Sequence, residues 1–527
     1  MIKRVYFLAA ALTVATVLLT AGIISSHSTK DSNIVSAKYY GIPLFKEGFE
    51  TSDSPLPLNV FFIPDKDYDG ISDNDDTNSD SNVFKGTFKG MFHLENSCYT
   101  MDFSTFLGDE TQYDPNLASA SLVFSNTMYS NNGFSYTYPD NKTICDITEL
   151  MSYHGFSDIQ NIKLCTQYTD NDLTEICLGF RDIRNEEKSV RVIAVIIRGT
   201  AGYKKEWSSN FDMGNPDSWD SPHHKGFKIT TDRVKAVIDD YVNNLSIPSP
   251  EPVFWVSGHS RGAAISNLLS SYLINDGHRV FSYTFASPLV TEDENAGNPK
   301  YSSIFNITGK SDVVTRIPFD KWNFSRYGET IEFSANEHGI KEDWMARTGE
   351  KAYNGLNEKL IEIMINETVK SVASDRKQYY AYSGKQIFSE KQYSTLSDTA
   401  LGLCKITPKK APFSSKTEYE LEPSLGFVFQ LIADYLGEYD TNINGNLLNI
   451  DKEERKASAA ILKEFVNTKY AFTVVLILGS TIFNGLPSIV KDFGGIESGD
   501  EIFKDSHDTA IYMAALDNHP LLSSKTI

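Results

Sequence analysis

"VFWVSGHSRGAAISNLL", Val253 to Leu269, is the stretch on which the fold turns. Five mostly apolar residues run into a serine bracketed by Gly258 and Gly262, and the chain continues directly into a pattern of helical period. "VFWV" has the continuous apolar character of a strand buried on both faces. Beyond the serine, Ala264, Ile265, Leu268, Leu269, Tyr272 and Leu273 form one apolar helical stripe that ends near Gly277. The pattern G-x-S-x-G is weak by itself, and its plain alternative is a tight turn that happens to hold a serine. Between a buried strand and an amphipathic helix it reads as a nucleophile elbow. Glycines two before and two after Ser260 permit the sharp turn and the close approach of strand and helix, and the hydroxyl is pushed clear of the backbone.

Outward from this stretch, residues 111–340 alternate strand and helix patterns. "NLASASLVFSNTMYS" has helical period, "IKLCTQYT" and "LTEICLGFRDI" read as strands, and "SVRVIAVIIRGT" is a buried-type strand. A helix near Lys225–Asn244 precedes "VFWVS", and the strands "VFSYTFAS" and "SSIFNITG" follow the elbow helix. Such alternation predicts an α/β core with a mostly parallel sheet covered on both faces.

Residues 341–500 break this rhythm. "NEKLIEIMINETVKSVAS", "LGFVFQLIADYLGEY" and "DKEERKASAAILKEFVNTKY" have helical periods and no strand series is evident, which predicts a large, mostly helical insertion, a lid or cap. Within it "YAFTVVLILGSTIFNGL", Tyr470–Leu486, reads either as a buried core helix or as the wall of an acyl groove or a lid that meets lipid. Residues 501–527 return to the core with "DSHDTAIYMAAL", a short helix with a histidine at its start.

At the other end, Lys3 and Arg4 precede an apolar run from Phe7 to Ile24, the charge order of an export signal. Residues 1–37 are read as a signal peptide, with "VSA" at Val35–Ala37 as the cleavage site and an uncleaved membrane anchor as the alternative, so the protein is expected to be secreted or extracytoplasmic. Residues 38–110 form a small irregular region that holds "DKDYDGISDNDD". Asp65, Asp67, Asp69, Asp73 and Asp76 stand at loop positions 1, 3, 5, 9 and 12, Gly70 makes the turn and the Ile71 carbonyl fills position 7, the oxygen cage of a hard cation. The expectation is a structural calcium loop, closer to those of thrombospondin type 3 repeats than to an EF-hand, because position 12 is Asp and the flanks are not helical. A solvated acidic linker is the alternative. No cofactor is expected for catalysis.

The chain of 527 residues carries a formal charge of −20 spread along its length, which argues against a nucleic-acid footprint and against electrostatic docking on anionic lipid. Its five cysteines form no dense disulfide framework. Cys165 and Cys177 flank "TQYTDNDLTEI", which reads as a hairpin about Thr169–Asp172 and places the two thiols nearly opposite, as buried apolar thiols in preference to a cross-strand disulfide.

Several of these motifs together resemble the class 3 (fungal-type) lipase family of the α/β-hydrolase superfamily, in a bacterial secreted-type form. Arg198-Gly199-Thr200 matches the family's "RGT"-like strand end, "HHKGF" at His223–Phe227 its "H-x-GF" segment, "YTFASPLV" at Tyr283–Val290 its "YTFGxPxVG", and "NITGKSDVVTRIPF" the segment that presents its catalytic Asp. The resemblance covers about 220 residues and the C-terminal tail, with Thr315 where Pro is common and Ser287 where Gly is common. It implies an α/β-hydrolase fold, an acid at Asp312 and an oxyanion donor at Thr200. The α/β-hydrolase order Ser, acid, His leaves His338, His507 and His519 as bases, and His507, with Tyr512 five residues on, resembles the family's late histidine. The implied chemistry is ester hydrolysis: Ser260 attacks, His507 takes the proton, Asp312 orients the imidazole, and the amides of Thr200 and Arg261 hold the oxyanion. The expected partners are a lipid or small ester substrate and a lipid interface. The alternatives are a non-catalytic surface binding protein on the same fold, or a thioesterase or peptidase with the same triad.

Overall fold

A computed structural model describes strand fragments at 62–63 and 83–88 and most of 97–523, leaving out 463–504 and shorter stretches, chiefly 130–135, 138–142, 166–172, 201–203, 246–249, 411–416, 442–446 and 450–458. The Asp65–Asp76 loop, the Phe7–Ile24 run and Tyr470–Leu486 lie outside the described residues. Among the described residues no helix is long and apolar enough to cross a membrane, and no cluster of three or more acidic, His or Cys side chains is placed to hold a metal.

Seven strands form the central sheet: β1 (Ser157–Cys165), β2 (Leu173–Arg184), β3 (Ser189–Ile197), β4 (Glu251–His259), β5 (Arg279–Phe285), β6 (Ile304–Gly309) and β7 (Glu329–Phe333). They lie side by side in chain order. β1, β2 and β3 pair antiparallel and β3 through β7 pair parallel. The mostly parallel α/β core predicted for 111–340 is therefore present. Alternate residues of β3 and β4 point to opposite sides, as period-two geometry requires. Val192, Ala194, Ile196, Val253 and Trp255 enter one core, and Ile193, Val195, Ile197, Phe254 and Val256 enter the other. That two-sided burial is why "VFWV" and "VRVIAVII" read as unbroken apolar runs.

One face is covered by α1 (Pro115–Thr127) and by the C-terminal helix, and the other by the helices Lys225–Asn244 and Arg261–Asn275. α1 starts cleanly because Pro115 sits at its first turn and the Asp114 carboxylate accepts from the amides of Asn116 and Leu117. It is fastened beneath β4 by Trp255 Nε1 donating to Ser121 Oγ at 2.8 Å and by the Ser125–Ser257 hydroxyl pair at 2.8 Å. The C-terminal helix, Thr509–Asn518, is pinned by Asn518 Nδ2 to Asp343 at 2.7 Å, by the Arg347–Asp517 ion pair and by Thr509 to Asn126 at 3.0 Å.

Helices predominate in the described part of 341–500, as expected, but a strand series that the sequence did not show stands beside them. Helices Glu358–Ser371 and Leu425–Gly437 are present, and with them a three-stranded antiparallel sheet of Gln386–Ser389, Cys404–Lys410 and Thr417–Pro423, the last in the centre. These strands carry few apolar residues in alternation and are held by cross-strand charge, with Lys405 opposite Glu422 and Lys409 paired with Glu420. A period-two apolar signal is what sequence reading needs, and it is missing there. The cysteine hairpin also differs from expectation. Cys165 pairs with Leu173 and Cys177 with Asn161, so the thiols are offset along the ladder. Cys177 is buried against Met151, and Cys165 is exposed.

Three fully buried histidines, His154, His224 and His259, are kept neutral by burial, which lowers the first two to about 3 and the third well below its ordinary value. Their unfolded-state pKa is near 6.5, so below that pH the unfolded chain binds protons that the folded chain refuses. Their contribution is complete above that pH and is lost as pH falls, by about 1.4 kcal/mol per histidine per pH unit. The denaturation midpoint is therefore expected to drop sharply between pH 7 and pH 5.5. A midpoint that holds steady over that interval contradicts the neutral assignment.

Candidate active site

β4 ends at His259, and Ser260 takes φ 59° and ψ −126° before the helix Arg261–Asn275 begins. An L-residue resists this backbone, and the surroundings enforce it. A Cβ on Gly258 would lie 2.5 Å from the backbone of Gly262, and one on Gly262 would lie 2.3 Å from the Ile197 carbonyl oxygen. The Ser260 amide donates to Phe285 O at 2.9 Å. Ser260 occupies the N-cap position yet makes no side-chain cap, so its hydroxyl is turned away from the helix amides.

That hydroxyl lies 3.0 Å from His507 Nε2, and His507 Nδ1 lies 2.7 Å from Asp312 Oδ2. A carboxylate only accepts, so Nδ1 carries the proton and Nε2 is left as the acceptor for the serine O–H. All three residues are buried, Ser260 the most accessible at 6% exposed. Asp312 follows β6 and caps the short turn Val313–Arg316, where its Oδ1 accepts from the Val314 amide at 3.0 Å. Its Oδ2 also accepts from the Tyr512 hydroxyl at 2.6 Å. Burial, followed by the Asp312 charge, pushes Tyr512 well above the usual phenol range, so it remains a donor. The other two histidines considered as bases, His338 and His519, stack edge to face on each other with ring centroids 5.3 Å apart.

Thr200 and Arg261 border the same pocket as Ser260 and His507. Thr200 stands just past the end of β3, where Arg198 is locked between Glu175 at 2.7 Å and Glu206 at 3.0 Å, all three buried. Its hydroxyl is held by Asn210 Nδ2 at 2.9 Å. The Arg261 guanidinium is engaged by Leu173 O at 3.1 Å. His259 also bonds locally, and its partners matter. Its Nε2 donates to the His507 carbonyl at 3.1 Å, and its Nδ1, 3.2 Å from the Tyr129 hydroxyl, accepts from it. The Tyr129 hydroxyl is hydrogen-bonded in turn by the Gly199 backbone. Strand end, elbow and base are thereby joined in one buried chain. Tyr129, Asn210 and the bridging role of His259 were not legible beforehand, since each depends on contacts between residues far apart in the chain.

The pocket has an open volume of about 480 Å³ including its mouth, and Phe211, Phe227, Pro288, Val314 and Ile317 give it an apolar lining beside the serine. Chemically, the arrangement is an aligned serine, base and acid facing an apolar cleft.

Residues 194–322 match the family model described as Lipase (class 3). A secreted mono- and diacylglycerol lipase of Fusarium solani is 30% identical over 131 residues, which is 24% of this chain and 39% of that relative. Among solved structures, a triacylglycerol lipase with a serine-protease-type triad aligns at 18% identity and TM-score 0.29, over 43% of this chain and 83% of its own. The Rhizomucor miehei lipase propeptide complex aligns at 20% identity and TM-score 0.28, over 41% and 67%. The stretch similar to class 3 lipases thus contains Arg198-Gly199-Thr200, Ser260 and Asp312, and His507 reaches them from outside it.

Proposed function

We propose that the protein is a serine carboxylester hydrolase of the α/β-hydrolase type that cleaves lipid acyl esters. The observation that carries this reading is the unbroken line from Ser260 Oγ through His507 to Asp312. Ser260 attacks the ester carbonyl as His507 Nε2 takes its proton. The imidazolium that forms is stabilised by Asp312, whose charge is itself steadied by Tyr512 and the Val314 amide. Collapse of the tetrahedral intermediate, with the proton returned by His507, releases the alcohol and leaves an acyl-enzyme that water then hydrolyses by the same steps. The Arg261 amide, at the positive end of its helix, and the Thr200 amide would receive the oxyanion, each worth a few kcal/mol. The apolar lining suits an acyl chain. The match to a lipase named for mono- and diacylglycerols favours lipid esters. Export fits the Lys3-Arg4 start followed by Phe7–Ile24, and the relative is named as secreted.

Ser260→Ala is expected to lower kcat on p-nitrophenyl esters by about four to six orders of magnitude, and Asp312→Asn by about four. A fluorophosphonate probe should label the wild type and not Ser260→Ala; a wild type that stays unlabelled and inert at every acyl length rejects the hydrolase reading. Tyr512→Phe should retain the triad and lose about five- to thirtyfold in kcat with KM little changed.

We also propose that the loop from Asp65 to Asp76 binds calcium in a structural role. Chelation should then lower the melting temperature while fresh activity persists, and a melting curve indifferent to both chelator and added calcium speaks against it.

A further inference from the structure

The helix Lys204–Phe211 follows the Thr200 turn and ends in the pocket wall at Phe211. Residue by residue, this segment is tied to the region after 340. Ser208 Oγ accepts from Gln430 Nε2 at 2.7 Å, both side chains being buried. The Phe211 ring meets Phe429 edge on, with centroids 5.2 Å apart at 90°, and the Phe211 carbonyl accepts from the Tyr379 hydroxyl at 2.9 Å. Asp212 accepts from Tyr380 at 2.9 Å and pairs with Lys225 at 2.8 Å, and Arg376 bridges to Glu292 at 3.2 Å. Phe429 also packs on Tyr379, with centroids 5.1 Å apart, so the Phe211 ring meets one ring of the insertion directly and a second through it. Phe211, Phe429 and Tyr379 belong to one apolar core with Leu289, Val313 and Trp322.

We propose that the insertion sets acyl-chain specificity: Phe429, backed by Tyr379 and locked in register by Gln430, fixes the depth of the pocket by holding Phe211 in place. This rests on the hydrolase reading above. Phe429 touches no substrate; it is a specificity-determining residue that acts through Phe211. A close-packed interior passes a lost ring on to its neighbours, so a smaller residue at 429 lets Phe211 retreat and lengthens the apolar cleft. Asn210 and Thr200, which line the same pocket, keep their own hydrogen bond and are not altered by that retreat.

The test uses the full chain and p-nitrophenyl esters from butyryl to dodecanoyl, with fluorophosphonate labelling run on each variant. Phe429→Ala is expected to raise the decanoyl-to-butyryl ratio of kcat/KM by about tenfold, with labelling still complete. Phe429→Leu, which keeps apolar bulk and protects folding, should shift the ratio in the same direction by less. Ile387→Ala, at an exposed position on the insertion's small sheet, should leave the profile in place. If both Phe429 variants are labelled and their chain-length profiles superimpose on the wild type, or fall equally at every length, the inference is overturned and the hydrolase reading stands. A wild type the probe does not label overturns both.

Discussion

The backbone of Ser260 is the constraint around which the molecule is organised. A residue with a side chain at φ 59° must be held there, and three separate elements do so: Gly258 at the end of β4, Gly262 pressed on the end of β3, and the Phe285 carbonyl of β5 that takes the serine amide. Because those holds come from three adjacent parallel strands, the elbow is only as good as the register of the sheet. The same geometry that strains the backbone also frees the hydroxyl. An N-cap serine ordinarily spends its oxygen on helix amides, whereas this one is turned toward an imidazole.

Around that point lies an unusual amount of buried polarity. Arg198 between two buried glutamates and the Gly199–Tyr129–His259–His507 chain are costly to desolvate, and they persist because every step in them is paired. Both lead to segments that line the pocket, the first to Thr200 and the second to His507. Their common effect is positional: the end of β3, the end of β4 and the loop carrying His507 cannot drift apart without exposing an unpaired group to an apolar interior.

The parts of this arrangement that were legible in the sequence are those with a local signature. "VFWVSGHSRG" states strand, turn and helix in ten residues, and "SVRVIAVII" states burial on both faces. Ser260 is read from its elbow, Asp312 from the family resemblance and His507 from that resemblance and chain order, and the fold brings His507 within hydrogen-bond reach of the other two. What stayed hidden had no local signature. The strands around Lys405 and Glu422 are charge-paired and half exposed, so they lack apolar alternation. The offset of Cys165 from Cys177 is a matter of register, which spacing alone does not fix. The bridging role of His259 follows only from where His507 comes to rest.

The triad is also assembled from very unequal distances along the chain. Ser260 and Asp312 lie close together in sequence, whereas His507 arrives 195 residues after the acid and close to the C-terminus. A ribosome therefore makes the nucleophile and its pocket long before it makes the base. A chain interrupted before 507 would carry the elbow without its base and without the helix that covers one face of the sheet. Alignment of the serine, base and acid therefore waits on the docking of the helix Thr509–Asn518 against the sheet, because His507 is placed by the same segment that packs there.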